Sequence, residues 1–368
     1  MENKIKISQN SDGEIDFIGQ GSYSCVFRPA IKCDNTIDPH NPNDKYFVSK
    51  ISKKDKYMDN EFHISSIIQQ IPRYYHYFSP ILENCDADLY KLGEATAASV
   101  EFQKCDLFKK HGTVIETADE DADATEGSQQ EPEDAADRVD YIYNRIRYVG
   151  GKDLYAHLEG ADENMWKDAF AYLSYSISLL REKGIVHYDF KGNNVMVHDK
   201  HHTPIIIDFG LSIDINKIIG GGVGDVDAEL KRAFYVYSTE YEVWCPEIVF
   251  ICYLTQERQR ELFDPITAED IDFVCNDFMK NNAIFGEQYF NMNEQERETY
   301  LGSMRAFFSE FSGKPATEAI VEIVRAYYAT WDMYSLVVCF QGVVLLPVEY
   351  RNFVAADPRA RGAGASRV

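Results

Sequence analysis

Residues 187–210 constrain this chain more than any other stretch. They run His187-Tyr-Asp189-Phe-Lys191-Gly-Asn-Asn194, through two short segments, NVMV (194–197) and PIIID (204–208), to Asp208-Phe209-Gly210. Short β-branched runs joined by a polar turn read as strands, so the stretch is a polar loop followed by a small hairpin. A loop aspartate, Asp189, can accept a proton from a hydroxyl. Lys191, two positions on, can steady a transferring phosphoryl group. Asn194 and Asp208, each at the end of a short strand, offer the hard oxygen ligands that Mg²⁺ prefers. His198, His201 and His202 lie in the turn and read as solvated, not as a metal site.

Ahead of this loop the pattern is strand-like. IDFIG (15–19), CVFR (25–28) and YFVSKI (46–51) are short and rich in β-branched and aromatic residues. DNEFHISSIIQQI then places Phe62, Ile64, Ile67, Ile68 and Ile71 broadly on one helical face, and Pro72 ends it. YIYNRIRYV (141–149) is a further strand. From about residue 152 the chain turns mainly helical: ENMWKDAFAYLSYSISLLREKG is a long apolar-periodic helix stopped at Gly184, and 248–330 reads as several helices. Residues 113–137 hold ten Asp or Glu and no Lys or Arg. Such a segment buries too little apolar surface to offset its ordering entropy, and reads as a disordered acidic insert within a domain. The fold class is therefore α+β: a small β-rich N-lobe over 1–147, a larger, mainly helical C-lobe over 148–368 with a helical insertion at about 248–330, and a cleft between them where a ligand commonly sits.

Composition narrows the partners. The 368 residues are 45% hydrophobic, enough to bury a core, and carry a formal net charge of −23. That charge argues against nucleic acid and against an anionic membrane surface as partners. No apolar run approaches the ~18–20 residues of a spanning helix, and the N-terminus has no hydrophobic signal core, which points to the cytoplasm. Eight cysteines without a C-x-x-C pair read as mostly buried free thiols of a reducing compartment.

Two further motifs lie in the strand-rich half. Gly19-Gln-Gly21-Ser-Tyr-Ser-Cys-Val26 sits between two strands, where glycines let a hairpin turn lie close over phosphates with backbone N–H donors. Strand–loop–strand context disfavours a Rossmann or Walker loop, and Gly220–Gly224 lacks the Lys-Ser/Thr of the latter. In YFVSKI, alternation puts Tyr46, Val48 and Lys50 on one face, where Lys50 can neutralise phosphate oxygens. Glu61, opening the apolar helix, can hold that ammonium in place. Asp225, Asp227 and Glu229 read as a solvated loop.

Taken together, H-x-D-x-K-x-x-N followed by D-F-G, preceded by a glycine-rich hairpin and V-x-K, closely resembles the eukaryotic-type protein kinase family in its serine/threonine form. The resemblance covers nearly the whole chain. It implies a bilobal kinase-like fold, ATP and Mg²⁺ as cofactors, and a protein substrate with a Ser or Thr acceptor. It also implies that Gly19, Gly21 and Val26 cover the phosphates, that Val26 and Val48 sandwich adenine, and that backbone from Arg147 to Val149 meets the adenine edge. Lys50, paired with Glu61, would bind the α- and β-phosphates, and Asp189 and Lys191 would be catalytic beside metal ligands Asn194 and Asp208. Trp244-Cys-Pro246-Glu247 resembles the end of the activation segment, Trp331-Asp332 the start of the central large-lobe helix, and Asp357–Arg361 a late D-P-x-x-R whose arginine pairs with Glu247. The Lys50–Glu61 spacing, EYEVWCPEI and the helical insertion resemble, more narrowly, kinases of large nucleocytoplasmic DNA viruses. Tyr188 departs from the family, standing where many members carry an arginine that receives an activating phosphate. The rival readings are a kinase-like small-molecule phosphotransferase and a pseudokinase scaffold that binds without transfer.

Overall fold

A computed structural model describes residues 15–21, 24–31, 33, 44–87, 104–107, 141–220, 225–284 and 290–341. The acidic insert, the tip of the glycine turn, residues 221–224 and Asp357–Arg361 lie outside them. The described residues fall into two compact units.

The first unit draws on residues 1–69 and 79–149. Strands β1 (Asp16–Gln20), β2 (Ser24–Arg28), β3 (Phe47–Lys53), β4 (Ile81–Ala87) and β5 (Tyr141–Arg147) form one sheet in the order β1-β2-β3-β5-β4, antiparallel throughout. Register pairs Val26 with Lys50, Lys50 with Asn144 and Val48 with Ile146. Directly opposite residues share a face, so Val26, Val48 and Lys50 lie side by side. Helix α1 (Lys56–Ile68) packs on that face, with Met58 against Ile81, Ile142 and Ile146. The other face buries Cys25, Phe27, Ile51, Tyr141 and Tyr143. Three local expectations shift. Tyr46 lies in a 3₁₀ turn ahead of β3 and is exposed, Glu61 sits inside α1 instead of opening it, and Phe62 turns outward.

The cysteine expectation needs a larger correction. Cys25 is bonded to Cys105 and Cys33 to Cys85, while Cys245, Cys252, Cys275 and Cys339 are free and buried. The paired residues are 80 and 52 positions apart, so no local spacing announces them. The fold brings their Cα atoms to 6.0 and 5.5 Å, inside the range a disulfide spans.

The second unit draws on residues 70–78 and 150 onward. Segment 70–78 belongs here because Tyr77 O accepts from Ile206 N–H at 2.9 Å and the Tyr77 ring packs on Tyr172. A small sheet joins β6 (Gly151–Asp153), β8 (Val195–His198) and β9 (Pro204–Ile206), and a second pairs β7 (Ile185–Val186) with β10 (Ile213–Asp214). Between β6 and β7 come α2 (Leu154–Leu158) and α3 (Glu163–Glu182). Asp162 caps α3 by accepting from Asn164 and Met165 N–H, and Gly184, at φ 71°, takes the left-handed turn that stops it. Then follow α4 (Ile215–Ile219), α5 (Val226–Ala233), α6 (Pro246–Cys252) with a π-helical turn at Tyr253–Glu257, α7 (Ala268–Asn281), α8 (Glu294–Ser309) and α9 (Ala316–Gln341). The Asp225–Glu229 stretch, expected as a loop, is helical because Asp225 caps α5. Trp331 and Asp332, expected at a helix start, lie well inside α9. The core of this unit gathers Phe234, Trp244, Phe250, Phe278, Phe308 and Trp331. Among the described residues no helix is long and apolar enough to cross a membrane.

Candidate active site

The loop after β7 is held from below by Asp332 on α9. Its Oδ2 accepts from His187 N–H at 2.7 Å and its Oδ1 from Tyr188 N–H at 3.1 Å. Burial pushes the Asp332 carboxyl upward in pKa, against the opposing pull of His187 and the two donors. Tyr188 takes φ 69°, uncommon for a bulky residue. Its ring is buried against Trp244, at 4.8 Å between centroids, and its hydroxyl lies 3.2 Å from Cys252 Sγ. Burial raises that phenol well above its ordinary pKa. Trp244 Nε1 donates to Tyr188 O at 2.9 Å, which ties the 241–247 segment to the loop.

Beyond Tyr188 the loop closes on one carboxylate. Asp189 is only 8% exposed. Asn194 Nδ2 donates to Asp189 O at 2.9 Å and to its Oδ2 at 2.8 Å, and Lys191 Nζ donates to Oδ1 at 3.0 Å. The Tyr241 hydroxyl also donates to Oδ1, and its oxygen accepts from Lys191 Nζ at 3.2 Å. The β8–β9 register pairs Val195 with Ile206, and Ile207 N–H donates to Asn194 O at 2.9 Å. The hairpin thus returns Asp208 to the strand end that Asn194 begins. Asp208 is exposed and takes φ 63°, a left-handed conformation that costs a non-glycine residue about 1–3 kcal/mol. Phe209 beside it is buried against Phe78 and His187. Among the described residues no group of three or more His, Cys, Asp or Glu could hold a metal alone. An amide oxygen and a carboxylate on adjacent strand ends fit a hard cation whose remaining ligands are water or phosphate, the Mg²⁺ pattern.

In the first unit, Lys50 Nζ meets Glu61 Oε1 at 3.2 Å and Oε2 at 3.1 Å, with the side chains 13% and 3% exposed. Val26 and Val48 flank Lys50 on the same face. A Cβ built on Gly19 would meet nothing within 4 Å and one on Gly21 only Ser24, at 3.4 Å for its Oγ. The fold itself therefore does not demand these glycines. At the end of β5, Arg147 O accepts from Ser79 Oγ at 2.8 Å, while Tyr148 N–H is engaged by Tyr46 O at 2.8 Å. Sequence reasoning missed Asp332 as the anchor of the loop and Tyr241 as a partner of Asp189. The former was visible only as part of W-D-M-Y-S-L, the latter only as one hydroxyl among several. The expected Glu247–Arg361 pair lies outside the described residues on its arginine side; Glu247 itself is fully buried.

Parts of the chain are similar to known phosphotransferases. Residues 105–212, under a third of the chain, match the phosphotransferase enzyme family (APH). A stretch of 77 residues is 38% identical to Sperm motility kinase 2A of Mus musculus, covering 20% of this chain and 15% of that protein. Over 156 residues the chain is 24% identical to a serine/threonine-protein kinase of Drosophila melanogaster, covering 38% and 21%. The chain thus matches only 15% and 21% of the length of these curated relatives. Among solved structures, the autoinhibited serine kinase domain of the giant muscle protein titin aligns over 86% of this chain and 78% of its own, at 12% identity and a TM-score of 0.38. The fold is α+β, with a β-sheet N-terminal part and a helical C-terminal part. Kinase-type enzymes are its relatives.

Proposed function

We propose that this chain is an ATP- and Mg²⁺-dependent protein serine/threonine kinase. The observation that carries the reading is the closure of Asn194 and Lys191 on the Asp189 carboxylate, with a hydroxyl already hydrogen-bonded to it. In the proposed transfer, the acceptor hydroxyl oxygen bonds to the γ-phosphorus as its proton passes to Asp189. The bond from that phosphorus to the bridging oxygen breaks, ADP leaves, and Lys191 neutralises charge on the moving phosphoryl group. Bound Mg²⁺ would supply neutralisation of phosphate charge, and Asn194 and Asp208 would hold it. Lys50, fixed by Glu61, would hold the α- and β-phosphates under the Gly19–Val26 hairpin. Adenine would lie between Val26 and Val48, with Val149 backbone at its edge.

A protein acceptor is supported by Lys191, two residues after Asp189, and by a segment from Tyr237 to Trp244 built beside the loop. A second reading, transfer to a small-molecule hydroxyl, is supported by the phosphotransferase family match. The 11-residue Lys50–Glu61 spacing, EYEVWCPEI and the helices between Glu247 and Asp332 support a kinase of the large DNA virus type working in host cytoplasm. The test is transfer from radiolabelled ATP to protein and to sugar or drug acceptors, with phosphosite mapping, by wild type and Asp208→Ala. Label on Ser or Thr, reduced ~10²-fold or more in the variant, is expected. Label only on small molecules moves the assignment to the second reading. Nucleotide binding without any transfer makes the chain a scaffold.

A further inference from the structure

Both carboxylate oxygens of Asp189 are engaged in this structure. Oδ2 is taken by Asn194, and Oδ1 by both Lys191 and the Tyr241 hydroxyl. The Tyr241 oxygen makes two contacts, a hydrogen on the Asp189 carboxylate and a lysine ammonium at 3.2 Å. An acceptor hydroxyl ready for transfer would need the same two partners. Burial, with Asp189 beside it, raises the Tyr241 phenol above its ordinary pKa, so it stays a protonated donor. The ring stands edge-on to Trp244 at 5.0 Å. On either side the segment is held: Thr239 O accepts from Asn282 Nδ2, Trp244 N–H donates to Tyr241 O at 3.1 Å, and the Trp244 ring Nε1 donates to Tyr188 O. Glu240 and Glu242, next to Tyr241, are exposed. The side chain can therefore swing away while the segment around it stays in place.

Resting on the kinase reading above, we propose that Tyr241 is an internal occupant of the acceptor-hydroxyl position, which an incoming peptide hydroxyl must displace. Tyr241 then sets how strongly an acceptor must bind before it is used. It behaves as a tethered competitor of the peptide and not of ATP. A Ser or Thr peptide with good contacts elsewhere displaces it, whereas a small hydroxyl compound or water, lacking such contacts, does so poorly.

The experiment compares wild type, Tyr241→Phe and Asp189→Asn on the best Ser/Thr peptide selected from a degenerate pool, with KM and kcat measured separately for peptide and ATP. Phenylalanine keeps the ring against Trp244 and removes only the hydroxyl. The expected result is a fall in peptide KM of about tenfold or more, the ratio that a hydrogen bond to a charged acceptor corresponds to. The kcat and the ATP KM should be unchanged. A merely structural role for Tyr241 would instead lower kcat or raise KM, and either outcome overturns the proposal, as does an unchanged peptide KM. If Tyr241→Phe and wild type both stay at the background of Asp189→Asn, the kinase reading itself fails. That result differs from an active enzyme indifferent to Tyr241.

Discussion

Replacing Asp332 tests the loop anchor directly. The carboxylate is 5% exposed and accepts the N–H groups of His187 and Tyr188 at 2.7 and 3.1 Å. Asp332→Ala leaves both donors buried without an acceptor. Each such group costs about 1–3 kcal/mol, so the direct loss is about 2–6 kcal/mol, a large share of the ~5–15 kcal/mol that holds a typical domain together. Relaxation of the left-handed Tyr188 would return part of this, since such a conformation costs about 1–3 kcal/mol. Moving Tyr188, however, draws its ring from Trp244 and Phe234, so mid-range values leave a net loss of about 2 kcal/mol or more. Asp332→Asn keeps one acceptor oxygen and should lose about 1–3 kcal/mol. Urea unfolding followed by near-ultraviolet dichroism reads both variants, and a constant m-value shows that the same surface unfolds. If Asp332→Ala unfolds within about 1 kcal/mol of wild type, the anchor is energetically idle and the hydrogen bonds do not hold the loop.

Lys50→Met should lower transfer ~10²-fold or more while the melting temperature stays near wild type, because on the proposed reading the ammonium acts on a ligand; near-normal transfer would move the role to Lys53 or Lys54. Burial alone would raise the Asp270 carboxyl, but the Thr267 backbone and hydroxyl donors and Arg258 hold it below the usual range. Its stabilisation is therefore present at neutral pH and lost as pH falls through that lowered value. The stability gap between wild type and Asp270→Asn should narrow on acidification, and a gap independent of pH would contradict the assignment. Alkylation of denatured, unreduced protein should label four thiols, those of Cys245, Cys252, Cys275 and Cys339, and eight after reduction; eight without reduction would show the two pairs open. Enzyme expressed with a phosphatase and free of phosphate over 211–247 should turn over like untreated enzyme. A need for phosphate at Ser238 or Thr239 would refute this.

The two groups of candidate residues, one in each unit, were legible in the sequence for different reasons. Asp189, Lys191, Asn194 and Asp208 lie within one short stretch, so residue type and spacing alone suggest their roles, and a two-stranded hairpin supplies the rest. Lys50 and Glu61 were legible as a strand lysine and a helical acid; the register of β3 and the position of α1 give the 3.1–3.2 Å pairing that spacing could only suggest. What stayed hidden depends on distant chain. Asp332 is 145 positions from His187 and Tyr241 is 52 from Asp189. No periodicity encodes contacts of that range. The same holds for the cysteine pairs. Local errors had local causes: Asp225 is an N-cap that a count of charges reads as solvated loop, and α9 continues through Trp331 because no Pro, Gly or cap interrupts it.

On the proposed kinase reading, Tyr188 and the helices after Glu247 together bear on how the segment from 234 to 243 is ordered. An arginine there could order the following segment by meeting a phosphate. Tyr188 turns its hydroxyl to Cys252 and its ring to Trp244 instead, which removes any charged receiver from that position. Order comes from elsewhere. Phe234 O accepts from Thr255, Tyr237 donates to Asp277 at 2.6 Å, Thr239 O accepts from Asn282, and Val243 O accepts from Ser335 at 2.7 Å. All four partners lie between residues 255 and 335, on or beside α6 to α9. Hydrogen bonds of this kind contribute about 0.5–1.5 kcal/mol each, so together they match what one phosphate contact would provide, and they are permanent. Deleting the helices between Glu247 and Asp332 would remove three of these four contacts, those of Thr255, Asp277 and Asn282, and should loosen the segment from 234 to 239. A segment held this way has no ordering step left to regulate. On the proposed reading, control of acceptor entry would then fall to the Tyr241 side chain, whose hydroxyl is bonded to the carboxylate that would take the acceptor's proton.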